Sequence, residues 1–251
     1  MLNFFRKIRK QLAEENKPKK YLRYALGEIV LVVFGILIAL SINNWNQQKK
    51  EAIVEQKALA NLKNDFEYNQ DMLCSLILES DRIINDNLLV LSNMGTNYNQ
   101  DIKFNLDSLL NSLAHSPNFF PKNGFLDDLL NSGNLGIFSN DTLRQYLSMW
   151  KPSLELLKQR GNYADRIDSM IEDYISKHGS WMKYDAHYGN YDFQIMESGF
   201  ETDNNNLLMH REFENLIDNH IYQINALKQR QKETLGIVET ILIIINNELN
   251  K

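Results

Sequence analysis

A stretch of apolar residues near the N-terminus constrains this chain more than any other feature. Residues 25–42 read ALGEIVLVVFGILIALSI, and Glu28 is the one ionisable residue among them. A helix of this length rises roughly 27 Å, close to the roughly 30 Å hydrocarbon core of a bilayer. Tyr24 and Trp45 flank the stretch, as aromatic residues do at the two headgroup layers. The sequence therefore predicts one transmembrane helix that places the chain in a lipid bilayer.

Positive charge is concentrated before this stretch. Residues 1–24 carry a net charge of +6, whereas the whole chain of 251 residues carries −5, so the remainder is strongly acidic. The positive-inside rule predicts a cytoplasmic N-terminus and a periplasmic bulk of the chain. An acidic bulk also argues against nucleic acid as a partner. A cleaved signal peptide is the alternative, but its apolar region would span only about 7–15 residues, so we expect an uncleaved anchor.

The basic stub, residues 1–24, has two interpretations. Phe5, Ile8 and Leu12 recur at helical spacing among basic residues, which is typical of an amphipathic helix on an anionic inner leaflet. The same residues are also compatible with a basic orientation signal that adopts no particular structure.

One stripe of the membrane helix is a candidate interface. At 100° per residue Glu28, Gly35 and Ala39 share a face, and Gly35-xxx-Ala39 is a small-xxx-small spacing that lets two helices approach closely. The stripe predicts a homo-oligomer formed through the membrane helix. Small residues are common in membrane helices, however, and Glu28 lies close enough to the cytoplasmic headgroups to reach them.

The residues after the membrane helix also show a pattern that is typical of a long helix. No glycine or proline occurs between Trp45 and Met94, and apolar residues recur at steps of three and four in a coiled-coil-like seam. The seam consists of Leu59, Leu62, Phe66, Leu73, Leu76, Ile83, Val90 and Met94. Asn69, Ser80 and Asn87 interrupt it at the same spacing. They either fix the register or are polar residues tolerated near a bundle end.

The C-terminal part predicts a matching helix. Its seam runs from Phe213 to Leu249 and is similar in length to the first, so we expect the two helices to pack antiparallel. Between them, glycine and proline isolate short helices near 103–114 and 125–131. Ser139-Asn140-Asp141 offers a helix cap for a helix over 141–178, with an irregularity expected at Pro152. The fold class is therefore all-α, an elongated antiparallel bundle that continues from one transmembrane helix.

The search for chemistry-bearing motifs predicts no catalytic, cofactor-binding or metal-binding residue. Zinc clusters, HExxH, GxSxG, phosphate loops and EF-hand spacings are absent from the sequence. Cys74 is the single cysteine, so no intrachain disulfide forms, and we expect it to be buried on the long helix. His210 and Glu214 are four apart on a predicted helix, but such a pair is more often an ordinary solvated pair than a metal site.

An aromatic stretch between Gly179 and Gly199 provides the ligand-loop candidates. Rings of this kind stack on a sugar, a peptide or an aromatic ligand, but they also cap the apolar end of a bundle, and we expect a surface excursion that acts mainly as such a cap. The candidates are Trp181, Tyr184, His187, Tyr188 and Tyr191.

The opening of the chain resembles a known family. FFRKIRKQL followed by KYLRYALGEIVLVVFGILIALSINNWN is similar to the start of an uncharacterised bacterial family of single-pass membrane proteins, classed as a domain of unknown function. The matching residues include Gly27, Glu28, Gly35 and the Asn43-Asn44-Trp45-Asn46 exit, and Ser132-Gly133-Asn134-Leu135 resembles a turn of the family. The resemblance implies an inner-membrane protein with a helical periplasmic part. It supplies no activity, ligand or catalytic residue.

These observations predict three segments: a basic cytoplasmic stub (1–24), a transmembrane helix (25–42) and a periplasmic helical domain (43–251). The expected function is that of a membrane-anchored interaction or sensory module without intrinsic catalysis, with an unidentified periplasmic or membrane protein partner or ligand. The alternative is a periplasmic enzyme that uses the loop 179–199, with Asp185, His187 or Asp192 as its titratable groups.

Overall fold

The described residues of this computed structural model, 18–97, 104–196 and 198–251, form helices and no strand, which confirms the all-α prediction. The predicted stub helix falls on residues before Pro18, which lie outside the described part of the chain. The long helices are α1 (Pro18–Leu91), α4 (Asp141–His178) and α6 (Arg211–Leu249). The short ones are α2 (Leu110–Leu113), α3 (Gly124–Asn131) and α5 (Trp181–Tyr188). Turns of 3-10 helix occupy Gly95–Asn97, Leu106–Leu109, Asn134–Ile137 and Asn204–Met209.

The chain divides into two compact units, Met1–Lys57 and Ala58–Lys251, and α1 contributes to both. In the first unit, the most apolar window of α1 has a mean hydropathy of 2.6, and none of it is buried. Exposed leucine, isoleucine, valine and phenylalanine side chains over such a length are expected in lipid rather than in water. By length and composition, α1 therefore contains one stretch able to span a membrane near the N-terminus.

In the second unit, α1 and α6 run antiparallel. Ser80 Oγ donates to Gln231 Oε1 at 3.1 Å, and seven residues later Asn87 Oδ1 lies 3.0 Å from Nδ1 of His220. Residue numbers thus rise along one helix as they fall along the other, and the predicted antiparallel packing is confirmed.

The helix α4 also runs antiparallel to α6. At one end Asn140 Nδ2 donates to Glu248 Oε1 at 2.6 Å, and at the other the Tyr174 hydroxyl lies 3.2 Å from Nδ1 of His210. Of the predicted cap residues Ser139-Asn140-Asp141, Asn140 is the N-cap, since its Oδ1 accepts from the Leu143 N–H at 3.0 Å. The helices α1, α4 and α6 therefore form a three-helix bundle.

The buried residues of α1 match the predicted seam. Each of its apolar positions is at most 9 % exposed, and the interrupting Asn69, Ser80 and Asn87 are fully buried. These three side chains are not tolerated polar residues near a bundle end, because each belongs to a network of buried hydrogen bonds.

That network holds the backbone of the connection, residues 104–123. Asn69 accepts from the Lys122 N–H at 2.7 Å and donates to the Lys122 carbonyl at 3.0 Å. Ser80 contacts Gln231, whose Nε2 donates to the Pro117 carbonyl at 2.8 Å. Asn87 Nδ2 donates to the Ser112 carbonyl at 3.2 Å. We call Asn69, Ser80 and Asn87 the polar clamp, because directly or through Gln231 they give backbone groups of the connection hydrogen-bond partners.

The core consists of two apolar clusters. The first surrounds Phe66 and Trp150, whose rings meet edge to face at 5.1 Å between centroids. The second surrounds Ile171 and Phe213. Buried polar residues lie between them, because Asn87 separates Ile83 from Val90 on α1, and His220 separates Ile217 from Ile224 on α6.

Replacing Asn87 by alanine should lower the free energy of unfolding by about 2–4 kcal/mol, because His220 Nδ1 and the Ser112 carbonyl lose a buried partner. Urea unfolding of the full chain in mild detergent, followed by far-UV circular dichroism, measures this change. Asn85→Ala is the matched control, since Asn85 is exposed on the same helix and the change in helix propensity is the same. Equal stabilities of the two variants would contradict the clamp.

Acid should weaken the packing of α6 through Glu248. Hydrogen bonds from Lys251 and then Asn140 lower the pKa of this buried carboxyl below its ordinary value of 4.5. Because the folded-state pKa is depressed, its contribution to stability is present above pH 4.5 and is lost as the pH falls through the folded-state pKa. Glu248→Gln should therefore make unfolding stability fall less steeply below pH 4.5, as urea titrations at several pH values would show. Glu239→Gln, exposed on the same helix, should keep the slope of the parent.

Candidate functional site

A cleft of about 530 Å³ opens between α1, the connection and α4, all within the second unit. We call it the acidic cleft. Its polar lining residues are Glu79 on α1, His115, Ser116 and Asn118 on the connection, and Asp165, Asp168, Ser169 and Glu172 on α4. Leu76, Ala114, Pro117 and Phe120 supply the apolar part of the lining.

The helical repeat of α4 places its carboxylates together. Asp165, Asp168 and Glu172 are three, four and seven residues apart and therefore share one face of the helix. Asp165 and Glu172 are exposed, whereas Asp168 is only 8 % exposed. Glu79 lines the cleft from α1, and its Oε1 lies 3.2 Å from Nε2 of His115. The lining thus contains four carboxylates and one basic side chain.

The connection is held against α4 by a close approach. Asn118 Nδ2 donates to Asp165 Oδ1 at 2.7 Å. Gly161 is buried directly beneath, and a Cβ at this position would clash with Oδ1 of Asn118. A smaller cavity of about 390 Å³ shares Asn118, Phe120 and Asp165 with the acidic cleft. Phe120, 73 % exposed, therefore contributes to both cavities.

Behind the cleft lies His220, which is fully buried between Asn87 and Asp168. Asn87 uses Nδ2 to donate to the Ile83 and Ser112 carbonyls, so its Oδ1 is the acceptor in the hydrogen bond with Nδ1 of His220. Nε2 of His220 lies 3.0 Å from Asp168 Oδ1, but the two atoms are not aligned as a hydrogen bond.

Unpaired polar atoms concentrate at this level of the bundle. In the described part of the chain, the buried side-chain atoms without a hydrogen-bond partner are Ser116 Oγ, Asp168 Oδ1, His220 Nε2 and Gln223 Oε1. Ser116 and Asp168 line the cleft, and His220 contacts Asp168. A buried polar group that lacks a partner destabilises the fold by about 1–3 kcal/mol, but two of these four atoms, Asp168 Oδ1 and His220 Nε2, lie 3.0 Å from each other.

The lining combines one buried hydroxyl with charged side chains. Ser116 Oγ has no hydrogen-bond partner and therefore lacks the adjacent base that would activate it. Within residues 18–97, 104–196 and 198–251, no three His, Cys, Asp or Glu side chains come together as metal ligands would. The polar groups of the lining are carboxylates, hydroxyls, one amide and one imidazole.

The aromatic loop candidates separate into two sets. Trp181 and Tyr184 pack against the second apolar cluster, which supports the cap interpretation for these two rings. Tyr188 and Tyr191 are 43 % and 47 % exposed, and His187 is also exposed. Part of the expected surface excursion is the helix α5, and the Trp181 indole donates to the Glu172 carbonyl at 3.3 Å beside the acidic cleft.

The titratable groups of this loop are engaged locally. The Tyr191 hydroxyl donates to Asp185 Oδ1 at 2.8 Å, and this hydrogen bond raises the pKa of Tyr191. Nδ1 of His187 lies 3.0 Å from the Lys183 carbonyl. Asp185 and His187 are two residues apart on α5 and face different directions, so they do not converge on one point.

Two expectations about single residues were wrong. Cys74 is exposed rather than buried, because the seam of α1 uses the neighbouring Leu73 and a helix turns by about 100° per residue. His210 is the residue before α6, with an extended backbone, so it does not share a helical face with Glu214. Its ring instead contacts Tyr174 and His178, with ring centroids 6.2 Å and 5.9 Å away.

The membrane stripe lies in the first unit. Gly35 and Ala39 are exposed, and a Cβ at Gly35 would meet nothing within 4 Å. Glu28 is half-buried. Self-association through this stripe stays a prediction.

The sequence reasoning missed the acidic cleft. The helical spacing of Asp165, Asp168 and Glu172 was a readable signal for one acidic face. No signal in the sequence indicated that the connection would pack beside that face, because the clamp contacts join residues far apart in the chain.

Comparison with known proteins gives one match. Residues 28–150 match a family of unknown function (DUF6090), over just under half of the chain. Neither the curated proteins nor the solved structures contain a significant match. The matched region includes most of the apolar stretch, the polar clamp, Glu79 and Ser116, whereas the α4 carboxylates and α6 lie beyond it.

Substitutions at two glycines should report how tightly the connection packs. Gly236→Ala, on an exposed position of α6 with nothing within 4 Å, should raise the free energy of unfolding by about 0.5–1 kcal/mol through helix propensity. Gly161→Ala should raise the free energy of unfolding by less, because the added methyl group displaces the Asn118 amide from Asp165. Urea unfolding measures both variants.

The same comparison in an Asn118→Ala background is the control. Without the Asn118 amide, Gly161→Ala and Gly236→Ala should give the same gain. If Gly161→Ala stabilises the parent as much as Gly236→Ala does, the close approach of Asn118 to Gly161 is contradicted.

Proposed function

We propose that this chain is a single-pass, membrane-anchored binding module of the bacterial inner membrane, with a cytoplasmic N-terminus and its helical unit in the periplasm. The observation that carries the proposal is the combination, in one chain, of an exposed apolar helix with a folded unit that contains a solvent-open acidic cleft. The first supports an anchor, and the second supports recognition of a ligand or partner.

The charge distribution supports the orientation. The net charge of +6 before the apolar stretch favours retention of residues 1–24 in the cytoplasm. The acidic remainder of the chain argues against nucleic acid as a partner.

A binding role is favoured over catalysis by the state of the cleft. Its carboxylates and the Ser116 hydroxyl accept hydrogen bonds, but none of the lining groups forms a nucleophile and base pair. The cleft therefore replaces the aromatic loop as the first candidate for ligand recognition.

A sensory role would use α1. This helix runs without a break from the apolar stretch to Glu79 and the polar clamp, so a ligand in the cleft contacts the same helix that crosses the bilayer. Ligand binding would change the conformation of α1. The partner that responds would be another membrane protein or a second copy associated through Glu28, Gly35 and Ala39. A ligand produces such a change only to the extent that it binds one conformation better than the other.

Topology can be tested with the single native cysteine. Cys74 is exposed, so a membrane-impermeant maleimide should label it in intact spheroplasts, and the protein should stay in the membrane pellet after alkaline carbonate extraction. Cys74→Ser combined with Lys19→Cys is the matched control, because it moves the one thiol to the other side of the apolar stretch. That variant should be labelled only after permeabilisation. Labelling of Cys74 only after permeabilisation, or release of the protein by carbonate, would overturn the proposal.

A further inference from the structure

We infer that the acidic cleft binds a cationic amine, that is, an alkylammonium or guanidinium group carried by a polyamine or by a basic side chain. The inference rests on the proposed binding role and assigns a ligand class to it. Three features carry it: the charge of the lining, the unpaired acceptors in it and its shape.

The charge of the cleft is only partly balanced by the described residues, among which His220 contacts Asp168 at 3.0 Å. The Glu172 carboxylate makes no ion pair or hydrogen bond with any of them. Asp165 is contacted by the neutral amide of Asn118, which leaves its charge uncompensated. Glu79 lies 3.2 Å from His115 and 3.9 Å from Arg82, so part of its negative charge is compensated by these neighbours. A cation is the ligand that this lining attracts.

The second feature is independent of the acidic cluster. Ser116 lines the cleft, is only 6 % exposed, and its Oγ has no hydrogen-bond partner among the described residues. Asp168, 8 % exposed, adds a carboxylate whose Oδ1 lies 3.0 Å from Nε2 of His220 without forming a hydrogen bond. Carboxylate oxygens accept hydrogen bonds only, and a hydroxyl accepts readily. An ammonium group, with three donors and no acceptor, matches this set.

The shape favours an extended organic cation over a metal ion. The face from Asp165 to Glu172 spans seven residues, or roughly 10 Å along the helix axis. A divalent cation needs oxygen ligands converging at about 2.0–2.6 Å, whereas these carboxylates are distributed along two turns. The apolar lining from Pro117 and Phe120 can contact methylene groups, and an aromatic ring beside a cation adds cation–π attraction.

Isothermal titration calorimetry tests the inference on the full chain in nanodiscs of zwitterionic lipid, which does not itself attract amines. Spermidine, N-acetyl-lysine methylamide and magnesium chloride are the three probes, each at the same ionic strength. Saturable binding of an amine at one site, without displacement by equimolar magnesium, is expected. Stronger binding of spermidine would identify a small polyamine as the source, and stronger binding of the lysine derivative would identify a basic peptide.

Variants locate the site. Glu172→Gln should weaken amine binding about three- to tenfold, because one charge-assisted contact is lost. Asp173→Asn is the matched control: it removes an equal charge from the next residue, whose side chain is 78 % exposed and lies 3.8 Å from Lys177. This variant should bind like the parent.

Ser116→Ala separates a ligand role from a structural one. Removing an unpaired buried hydroxyl should leave the thermal midpoint unchanged or raised, whereas it should weaken amine binding a few-fold.

The inference is overturned if the parent shows no saturable binding of either amine, if Asp173→Asn weakens binding as much as Glu172→Gln, or if magnesium displaces the amines at equal concentration. None of these outcomes affects the labelling of Cys74. A wrong ligand class is therefore distinguishable from a wrong topology.

Discussion

The second unit depends on a constraint that backbone chemistry imposes: an irregular segment can lie against a buried helix only if its carbonyl and N–H groups find partners there. Asn69, Ser80 and Asn87 meet this constraint from α1, directly or through Gln231. They replace apolar residues on the seam, so the helix loses some hydrophobic contact at each position. In return the connection is fixed at Lys122, Pro117 and Ser112, and its path beside α4 produces the cleft.

Much of the helical architecture could be predicted because it follows from local periodicity. The seam of α1, the N-cap at Asn140 and the antiparallel course of α6 follow from residue types at fixed spacing. The site could not be predicted in the same way. Its parts come from α1, the connection and α4, and are joined by hydrogen bonds between residues such as Asn87 and Ser112 that no local pattern relates.

The failures at single residues have local causes. Cys74 is next to a seam residue, and at 100° per residue the neighbour of a buried position is often exposed. His210 lies one residue outside a helix whose boundary the apolar pattern alone does not define. The sequence left two interpretations open for the polar interruptions of the seam, because a sequence shows the polar side chain and not the backbone group that it contacts.

The division of the core into two apolar clusters has a further consequence. Cooperative unfolding requires continuous packing, and here the layer formed by Asn87, Asp168 and His220 interrupts it. The part of the unit around Ile171 and Phe213 is thus able to open as a separate cooperative segment while the part around Phe66 and Trp150 stays closed. A molecule held between Glu79 and Asp168 would touch the boundary between these segments. Its binding would couple the opening of one segment to the opening of the other. The effect would then be a decrease in local motion rather than a change of conformation.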